Sequence, residues 1–308
     1  MLTPVLPRRS PVLLRALSRA LSSALPRALL SAALVCWLGV FSQAKAEPPA
    51  TLVLGGDVAE IVAALGAEAS IIARDDTVSY PPALADLPSV GYLRRLSAES
   101  VLGLGAQRII AAHAAGPEQA LAQLDASGVE LIRVPGEQGL AGIAHKVDTI
   151  ATALSREEQG QQLTQQLDKD LEQLASLPPL SGLKVMFLLH HGGMTPMVGG
   201  HDTLAQTLIE ALGATNAFAA MSGYKPVSAE GIIPAAPDVV IVPQAGLDAL
   251  GGDEGLWQLP GLAQTPAGRQ HHLVAIDSSA LLSMGPRTPA ALVQLHGALE
   301  SLTPDHQP

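Results

Sequence analysis

The stretch GYLRRLSAE occupies residues 91–99, and a shorter stretch, GYKPVSAE at residues 223–230, repeats its beginning and its end. Each is followed by a small apolar run typical of a buried strand, at residues 108–112 and 238–242. A repeat at this separation, about 130 residues, predicts two lobes of similar architecture, each presenting a loop with tyrosine at one end and glutamate at the other. The cleft between two such lobes is a natural ligand site.

The rest of the chain alternates between predicted strands and helices. Apolar runs bounded by glycine or proline predict strands, and apolar residues at helical spacing predict helices between them. Besides the two runs above, the predicted strands are 51–54, 69–74, 129–134, 184–189 and 273–277, and the main predicted helices are 58–65, 118–127, 203–212 and 289–302. We therefore predict an α/β fold with two Rossmann-like lobes, each built on a mainly parallel sheet.

Residues 139–179 are predicted to join the lobes. This segment contains little glycine or proline before Pro178-Pro179, and its leucine, isoleucine and valine side chains fall on helical faces. We interpret it as one long bridging α-helix, or two nearly continuous ones, between an N-terminal lobe at 47–138 and a C-terminal lobe at 180–308. A single stiff crossing predicts little hinge motion and a site largely formed before the ligand binds.

Residues 1–46 have the pattern of a secretory signal peptide. They carry basic but no acidic side chains, followed by an apolar run at 28–41 and by Ala44-Lys45-Ala46, which predicts cleavage after Ala46. A retained membrane anchor is the less favoured interpretation, because the apolar run is short for a membrane span. A lipoprotein signal at Cys36 is also disfavoured, since valine precedes it where such signals need a small residue.

Cleavage after residue 46 would leave a strongly acidic chain without cysteine. Cys36 is the single cysteine of the 308 residues, and 12 basic side chains would remain against 28 acidic ones, a net charge of −16. A disulfide, a thiolate metal site and a cysteine nucleophile are then excluded. Such a charge suits neither nucleic acid nor an anionic membrane surface, and predicts small molecules or a protein with a basic face as partners.

The three tyrosines, Tyr80, Tyr92 and Tyr224, all lie in predicted loops beside glycine or proline. Tyr92 is the main candidate because Arg94 follows two residues later. A guanidinium near a phenol stabilises the phenolate, which is a hard anionic ligand suited to ferric iron. Tyr92 and Arg94 are therefore predicted to form an iron-binding pair. The alternative is that these tyrosines are rim residues without a special role.

Histidines are the other candidate ligands. His190-His191 ends a predicted strand at a glycine pair, where a side chain would point into the cleft and where the glycines leave room for a large flat ligand. His201 follows a second glycine pair, and His271-His272 opens a strand. Each could instead have an ordinary surface or hydrogen-bonded role. No pair shows the helical spacing of a zinc site and no Gly-x-Ser-x-Gly motif occurs, so these patterns do not predict an enzyme.

Glu99 and Glu230 end the two repeated stretches. Each is predicted to start a helix, a position where the helix dipole favours an acid. The matching position in both lobes indicates a paired use, in which two exposed carboxylates meet two basic pockets on a two-fold symmetric partner.

Residues 75–99, with the pattern Gly-Tyr-x-Arg-x-Leu-Ser-Ala-Glu, and residues 188–200 resemble the periplasmic heme-binding proteins of bacterial ABC heme importers. The resemblance extends over nearly the whole chain beyond the leader. It implies that Tyr92 ligates ferric heme, that Arg94 hydrogen-bonds to this tyrosine, and that His191 is a further ligand from the second lobe. It also implies that Glu99 and Glu230 dock on the permease.

The function implied is that of a periplasmic carrier that holds heme between its lobes, as a transported ligand, and delivers it to an inner-membrane ABC permease dimer with its ATPase. An outer-membrane heme receptor would act upstream. A carrier for cobalamin or a ferric siderophore is the alternative within the same fold. An enzyme that acts on a porphyrin, or that activates water with a metal at His190, His191 or His201, is the alternative from another class.

Overall fold

The N-terminal lobe is built on a four-stranded sheet. The computed structural model describes residues 48–136, 139–191, 193–226 and 228–302. The strands are β1 (Thr51–Leu54), β2 (Ile71–Arg74), β3 (Arg108–Ala111) and β4 (Glu130–Arg133). The helices are α1 (Gly56–Ala64), α2 (Pro82–Ala85), α3 (Ala98–Leu102) and α4 (Glu118–Ala126), with 3-10 turns at Glu68–Ser70 and Leu93–Arg95. All four strands are parallel, in the order β2-β1-β3-β4.

Two helices follow, α5 (Gly142–Leu154) and α6 (Glu157–Ser176), before the C-terminal lobe. That lobe contains β5 (Lys184–Leu189), β6 (Met197–Gly199), β7 (Thr215–Asn216), β8 (Tyr224–Pro226), β9 (Val239–Pro243) and β10 (Leu273–Ile276). Its helices are α7 (Leu204–Ala211), α8 (Ala229–Ala235), α9 (Gln244–Leu250), α10 (Gly252–Trp257), α11 (Pro266–Gln270), α12 (Ser278–Leu282) and α13 (Thr288–Glu300), with a 3-10 turn at Leu262–Gln264.

The sheet of the C-terminal lobe has the order β10-β9-β5-β6-β8, and β7 pairs with β5 as well. Strands β7, β9 and β10 run parallel to their neighbours, whereas β6 is antiparallel to both β5 and β8. Strands β1 and β9 are buried along their whole length, as expected for parallel strands covered by helices on both faces. The predicted α/β fold with two mainly parallel lobes is confirmed, with a short antiparallel extension in the second lobe.

The segment between the lobes forms two helices, the second of the two arrangements predicted from its sequence, with a turn between them. Ser155, between α5 and α6, has a left-handed backbone with φ of 53°, and the chain turns sharply there. A Cβ atom on Gly160 would lie 2.6 Å from that of Ala151, so the start of α6 packs back on α5. Leu167 belongs to the core of the first lobe and Leu174 to that of the second, so α6 takes part in both cores.

Helix α5 belongs with the N-terminal lobe, since Ile143, Val147 and Ile150 lie in its core. Helix α6 packs along α13 of the C-terminal lobe. The boundaries 47–138, 139–179 and 180–308 stay predictions of where the lobes divide. The predicted signal peptide at 1–46 lies outside the described residues, and within the described ranges no helix combines the length and apolar character required to cross a membrane.

The turn after β1 shows how the sequence shapes the edge of the first lobe. Gly55 has φ of 118°, a conformation that favours glycine, and a Cβ atom there would lie 2.6 Å from the Cβ of Ala112. The fully buried Asp75 carboxylate accepts hydrogen bonds from the backbone N–H groups of Gly55, at 2.7 Å, and Thr77, at 2.8 Å. This carboxylate therefore ties together two loops that follow adjacent strands.

Candidate functional site

A cleft of about 800 Å³ lies between the two lobes. The first lobe lines it with the loops that follow the carboxyl ends of its strands, including residues 55–57, Thr77, residues 112–114 and residues 135–136. The second lobe contributes residues 201–204, 206–207, 210 and 282–284. Ligands of open parallel sheets bind outside the carboxyl ends of the strands, so the cleft occupies the position that the fold favours.

Tyr92 stands in this cleft on a well-supported loop. It is 41% exposed, whereas Leu93 and Leu96, which follow it, are buried in the core of the lobe. Backbone hydrogen bonds hold the same loop to Gly116: the Gly116 N–H donates to the Leu93 carbonyl at 2.8 Å, and the Leu96 N–H donates to the Gly116 carbonyl at 2.9 Å. The phenol is therefore presented to the cleft by backbone that is fixed on both sides.

Two arginines accompany the Tyr92 phenol. Arg94, the predicted partner, lines the cleft together with Tyr92. The adjacent Arg95 places the centre of its guanidinium 6.0 Å from the centroid of the Tyr92 ring, at the limit of a cation–π contact. Arg95 is therefore a cationic neighbour of the Tyr92 ring that the sequence pattern alone did not single out.

Tyr224, at the matching position of the second repeat, has a different environment. It lies in β8, half-buried, where its ring packs near Gly199. Burial raises the pKa of the Tyr224 phenol, although hydrogen bonds with the Ala205 backbone and the Thr203 side chain act in the opposite direction. A raised pKa disfavours the phenolate, so Tyr224 is poorly suited to bind a metal through an anionic oxygen.

The histidine that the second lobe brings to the cleft is His201. Its Nδ1 lies 2.7 Å from Oδ2 of Asp202, which also accepts a hydrogen bond from the Ser222 hydroxyl at 3.2 Å. The backbone is fixed too, because the His201 N–H donates to the Met221 carbonyl and the His201 carbonyl accepts from Gly223. With Nδ1 engaged by a carboxylate, Nε2 is available, which is the usual arrangement of a metal-binding histidine.

The adjacent pair at the end of β5 lies elsewhere. His190 is only 7% exposed, and its Nδ1 has no hydrogen-bond partner among the described residues. His191 is exposed in the loop that follows β5. Neither is among the residues that line the cleft. Of the predicted ligand set, Tyr92 and Arg94 line the cleft and His191 does not, whereas His201 lines it from the second lobe.

His113 also lines the cleft and was missed by sequence reasoning. It follows β3 by two residues, and its ring packs against Gly136, where any side chain would collide with it. The available signal was topological, since residues that follow parallel strands gather at one edge of the sheet.

The floor of the cleft carries a buried ion pair. The Lys146 ammonium lies 2.6 Å from the Asp57 carboxylate, and both residues are 8% exposed. The same ammonium donates a hydrogen bond at 3.2 Å to the Met284 carbonyl of the second lobe. The floor is therefore close to electroneutral, and its cation also links the two lobes.

Glu99 and Glu230 occupy the first turns of α3 and α8, and both are exposed. The two helices begin alike: the Ser97 hydroxyl accepts a hydrogen bond from the Ser100 N–H, and the Ser228 hydroxyl accepts one from the Gly231 N–H. The repeat seen in the sequence is therefore a repeat of local structure. Within the described ranges, no three histidine, cysteine or acidic side chains are placed to hold a metal ion by themselves.

Comparisons with known proteins agree with this architecture. The family of periplasmic binding proteins matches residues 52–280. The periplasmic heme-binding protein RhuT from Roseiflexus sp. RS-1, solved in its apo form, is 37% identical, and the match covers 83% of this chain and 99% of that one with a TM-score of 0.76. The periplasmic heme-binding protein BhuT, solved in complex with two hemes, is 35% identical over 83% of this chain and 100% of that one, with a TM-score of 0.77.

A more distant relative is the uncharacterized ABC transporter substrate-binding lipoprotein YvrC of Bacillus subtilis (strain 168). It is 22% identical over 266 residues, which are 85% of this chain and 82% of that protein. The family match extends over most of the chain, and two solved relatives exceed 30% identity along nearly their whole lengths. The chain therefore belongs to the periplasmic binding protein family.

Proposed function

We propose that this protein is a periplasmic carrier that binds ferric heme in the cleft between its lobes and delivers it to an inner-membrane ABC importer. The observation that carries the proposal is the exposed Tyr92 phenol, held by a fixed loop in the cleft beside Arg94 and Arg95. RhuT and BhuT are heme-binding proteins with the same fold, which supports heme as the cargo.

Tyr92 is assigned as the ligand of the heme iron, and Arg94 as the residue that stabilises its anionic form. A phenolate binds ferric iron well, and a neighbouring guanidinium favours the charged state of the oxygen. The cleft volume of about 800 Å³ is in the range of sites that enclose a large organic ligand. Because Asp57 neutralises the charge of Lys146, we assign Arg94 to meet the anionic groups of the porphyrin.

Two histidines are candidates for a second ligand from the C-terminal lobe. The sequence motif indicates His191, in the exposed loop after β5. The geometry favours His201, because it lines the cleft and its Nδ1 is already bound by Asp202. Both assignments stay proposals, and single substitutions separate them.

Delivery is assigned to Glu99 and Glu230, one at the start of a matching helix in each lobe. Their two basic partners would lie on the two halves of a permease dimer that works with its ATPase, and an outer-membrane receptor would supply heme to the periplasm. The predicted signal peptide at 1–46 would bring the protein to that compartment. In this role the protein binds and releases its ligand without changing it.

The test is a titration of the purified protein without ligand, using heme, cobalamin and a ferric siderophore in parallel. We expect tight binding of heme alone, with the absorption spectrum of a ferric iron–phenolate complex. Tight binding of cobalamin or of the siderophore instead of heme would replace the proposal with the alternative carrier. Incubation of the loaded protein with a reductant should return intact heme, and the appearance of porphyrin breakdown products would indicate an enzyme.

A further inference from the structure

The internal repeat continues past its two glutamates. Residues 97–102 read SAESVL and residues 228–233 read SAEGII, so that both stretches place two aliphatic residues after the glutamate and one small residue. In the structure, the last two residues of each stretch also match in how deeply they are buried. Val101 and Ile232 are completely buried, whereas Leu102 and Ile233, the next residues, are 42% and 40% exposed.

The buried members of these pairs explain how the helices are held. Val101 lies in the core of the first lobe and Ile232 in a core cluster of the second, and each fixes its short helix to the lobe beneath it. The exposed members have no such function. In the described part of the chain, five large apolar side chains are exposed, and two of them are Leu102 and Ile233.

The three other exposed side chains of this group do not form a similar pair. Tyr92 stands in the cleft, and the Tyr80 ring is covered on one face by the Arg287 guanidinium, 3.5 Å from its centroid. Met194 lies in the loop before β6. Leu102 and Ile233 are thus distinguished by equivalent positions in the two lobes, which single exposed residues on an ordinary surface do not show.

Each exposed aliphatic residue shares a helix face with its glutamate. Glu99 precedes Leu102 by three positions in α3, and Glu230 precedes Ile233 by three positions in α8. Residues three apart lie side by side on a helix surface. Each lobe therefore presents one carboxylate with one aliphatic side chain next to it.

We propose that Leu102 and Ile233 are apolar anchors of the docking surface for the permease dimer, each inserted into an apolar pocket beside the basic residue that meets Glu99 or Glu230. The inference rests on the proposed function and extends it. Interfaces place apolar contacts at the centre and charges around them, so an aliphatic side chain next to a carboxylate is a suitable unit of recognition.

The observations favour a two-fold partner of opposite charge over a second copy of this chain. Two copies meeting through this surface would bring Glu99 and Glu230 close to each other or to themselves, and like charges at an interface are costly. A symmetric dimer with two identical basic sites matches two equivalent acidic units on one chain. The strongly acidic character of the chain beyond its leader also favours a basic partner.

The two kinds of side chain should act at different stages of association. Surface charges mainly accelerate the encounter, and their effect falls as salt rises. An aliphatic side chain that becomes buried acts after the encounter and mainly slows dissociation, independently of salt. Burial of the remaining exposed area of one Leu or Ile corresponds to a change of about three- to sevenfold in dissociation rate.

The experiment measures binding of the mature, heme-loaded protein to the permease–ATPase complex of the source bacterium in lipid nanodiscs, by surface plasmon resonance at low and high salt. Leu102→Ala and Ile233→Ala should each raise the dissociation rate about three- to sevenfold at both salt concentrations, and the double variant about tenfold or more. Leu102→Met and Ile233→Val, which keep an aliphatic contact, should bind nearly as the unchanged protein does.

Leu102→Glu gives the sharpest distinction. If docking depends on charge alone, a second carboxylate beside Glu99 strengthens binding to a basic partner, and our proposal is wrong. If Leu102 enters an apolar pocket, the same substitution weakens binding, since a desolvated carboxylate is costly there. Unchanged melting temperatures and heme spectra of the variants show that the fold and the ligand site are intact.

The controls separate this inference from the proposed function. If Glu99→Ala and Glu230→Ala abolish binding while Leu102→Ala and Ile233→Ala have no effect, the apolar anchors are refuted and the carrier function stands. If the unchanged protein binds the nanodiscs but does not bind heme, the assigned cargo is wrong and the docking surface stands.

Discussion

The Arg287 guanidinium of the C-terminal lobe holds the Glu60 carboxylate of the N-terminal lobe through two contacts, Nη2 to Oε1 at 2.7 Å and Nε to Oε2 at 3.2 Å. The Glu60 side chain is almost fully buried, and 29% of the Arg287 side chain is exposed. The same guanidinium covers the Tyr80 ring and reaches Asp277 at 3.4 Å. Together with Lys146, this pair fixes the two lobes to each other beside the cleft.

Arg287→Ala should lower the free energy of unfolding by about 3 kcal/mol, because it leaves the buried Glu60 carboxylate without a partner. Urea denaturation followed by circular dichroism measures this. Glu60→Gln should cost much less, since burial already raises the pKa of Glu60 in spite of Arg287, which shows that the charged form is poorly solvated there. The double variant should be more stable than Arg287→Ala, and equal or lower stability would contradict this explanation.

The acid sensitivity of the protein should depend on Asp277. Burial alone would raise the pKa of Asp277, but hydrogen bonds from Ser279 and the charge of Arg287 lower it below its ordinary value of 3.8. A lowered pKa contributes stability that is present above pH 3.8 and is lost as the pH falls through the folded-state value. Melting temperatures should show that Asp277→Asn is less stable than the unchanged protein at pH 6, and that this difference disappears as the pH falls below about 3.8.

Glu60→Gln is the matched control with the opposite sign. Because the pKa of Glu60 is raised above 4.5, the protein is stabilised below that pH relative to higher pH, and this contribution is lost as the pH rises through the folded-state value. The Glu60→Gln variant should therefore gain stability relative to the unchanged protein as the pH rises. Parallel pH trends for the two variants would show that these groups do not control the acid response.

The two repeated tyrosines should differ in their effect on heme. Tyr92→Phe removes the only exposed phenol at the cleft among the described residues, so we expect loss of the iron–phenolate absorption band and at least about tenfold weaker heme binding. Tyr224→Phe is the matched control, because its phenol is half-buried and bonded to Thr203 and Ala205. An unchanged spectrum for Tyr92→Phe would remove this residue from the iron site.

Substitution of the histidines should identify the ligand from the second lobe. We expect His201→Ala to change the electron paramagnetic resonance spectrum of the ferric heme complex, whereas His191→Ala should leave it unaltered. Asp202→Asn should weaken heme binding about tenfold while keeping the same ligand, since it loosens the orientation of the His201 ring. A changed spectrum for His191→Ala alone would restore the assignment that the sequence motif indicates.

The sequence was sufficient to predict the two α/β lobes, because buried parallel strands appear in a sequence as continuous apolar runs. The distinctive pattern of their loop also singled out Tyr92 and Arg94, which both line the cleft, and their role in binding iron stays a prediction. The two repeated Gly-Tyr pairs nevertheless differ in the environment of their tyrosines. Tyr224 enters a strand that pairs with β6 and is half-buried there, and this tertiary burial cannot be read from the local sequence.

The histidine prediction depended on where β5 ends. His190 and His191 do follow that strand, but the antiparallel β6 continues from it and carries the chain to the cleft ten residues later, at His201. The break between the two helices of the bridging segment was also not predictable from the sequence. No proline marks Ser155, and the turn is stabilised instead by the absence of a side chain at Gly160, which allows α6 to approach Ala151.

Helix α6 contributes Leu167 to one hydrophobic core and, two turns later, Leu174 to the other. Neither half of the molecule can therefore be excised as an autonomous folding unit without stripping its neighbour of part of its interior. Loss of order in one half should propagate into the other through this shared element, so we expect the protein to melt in a single cooperative transition.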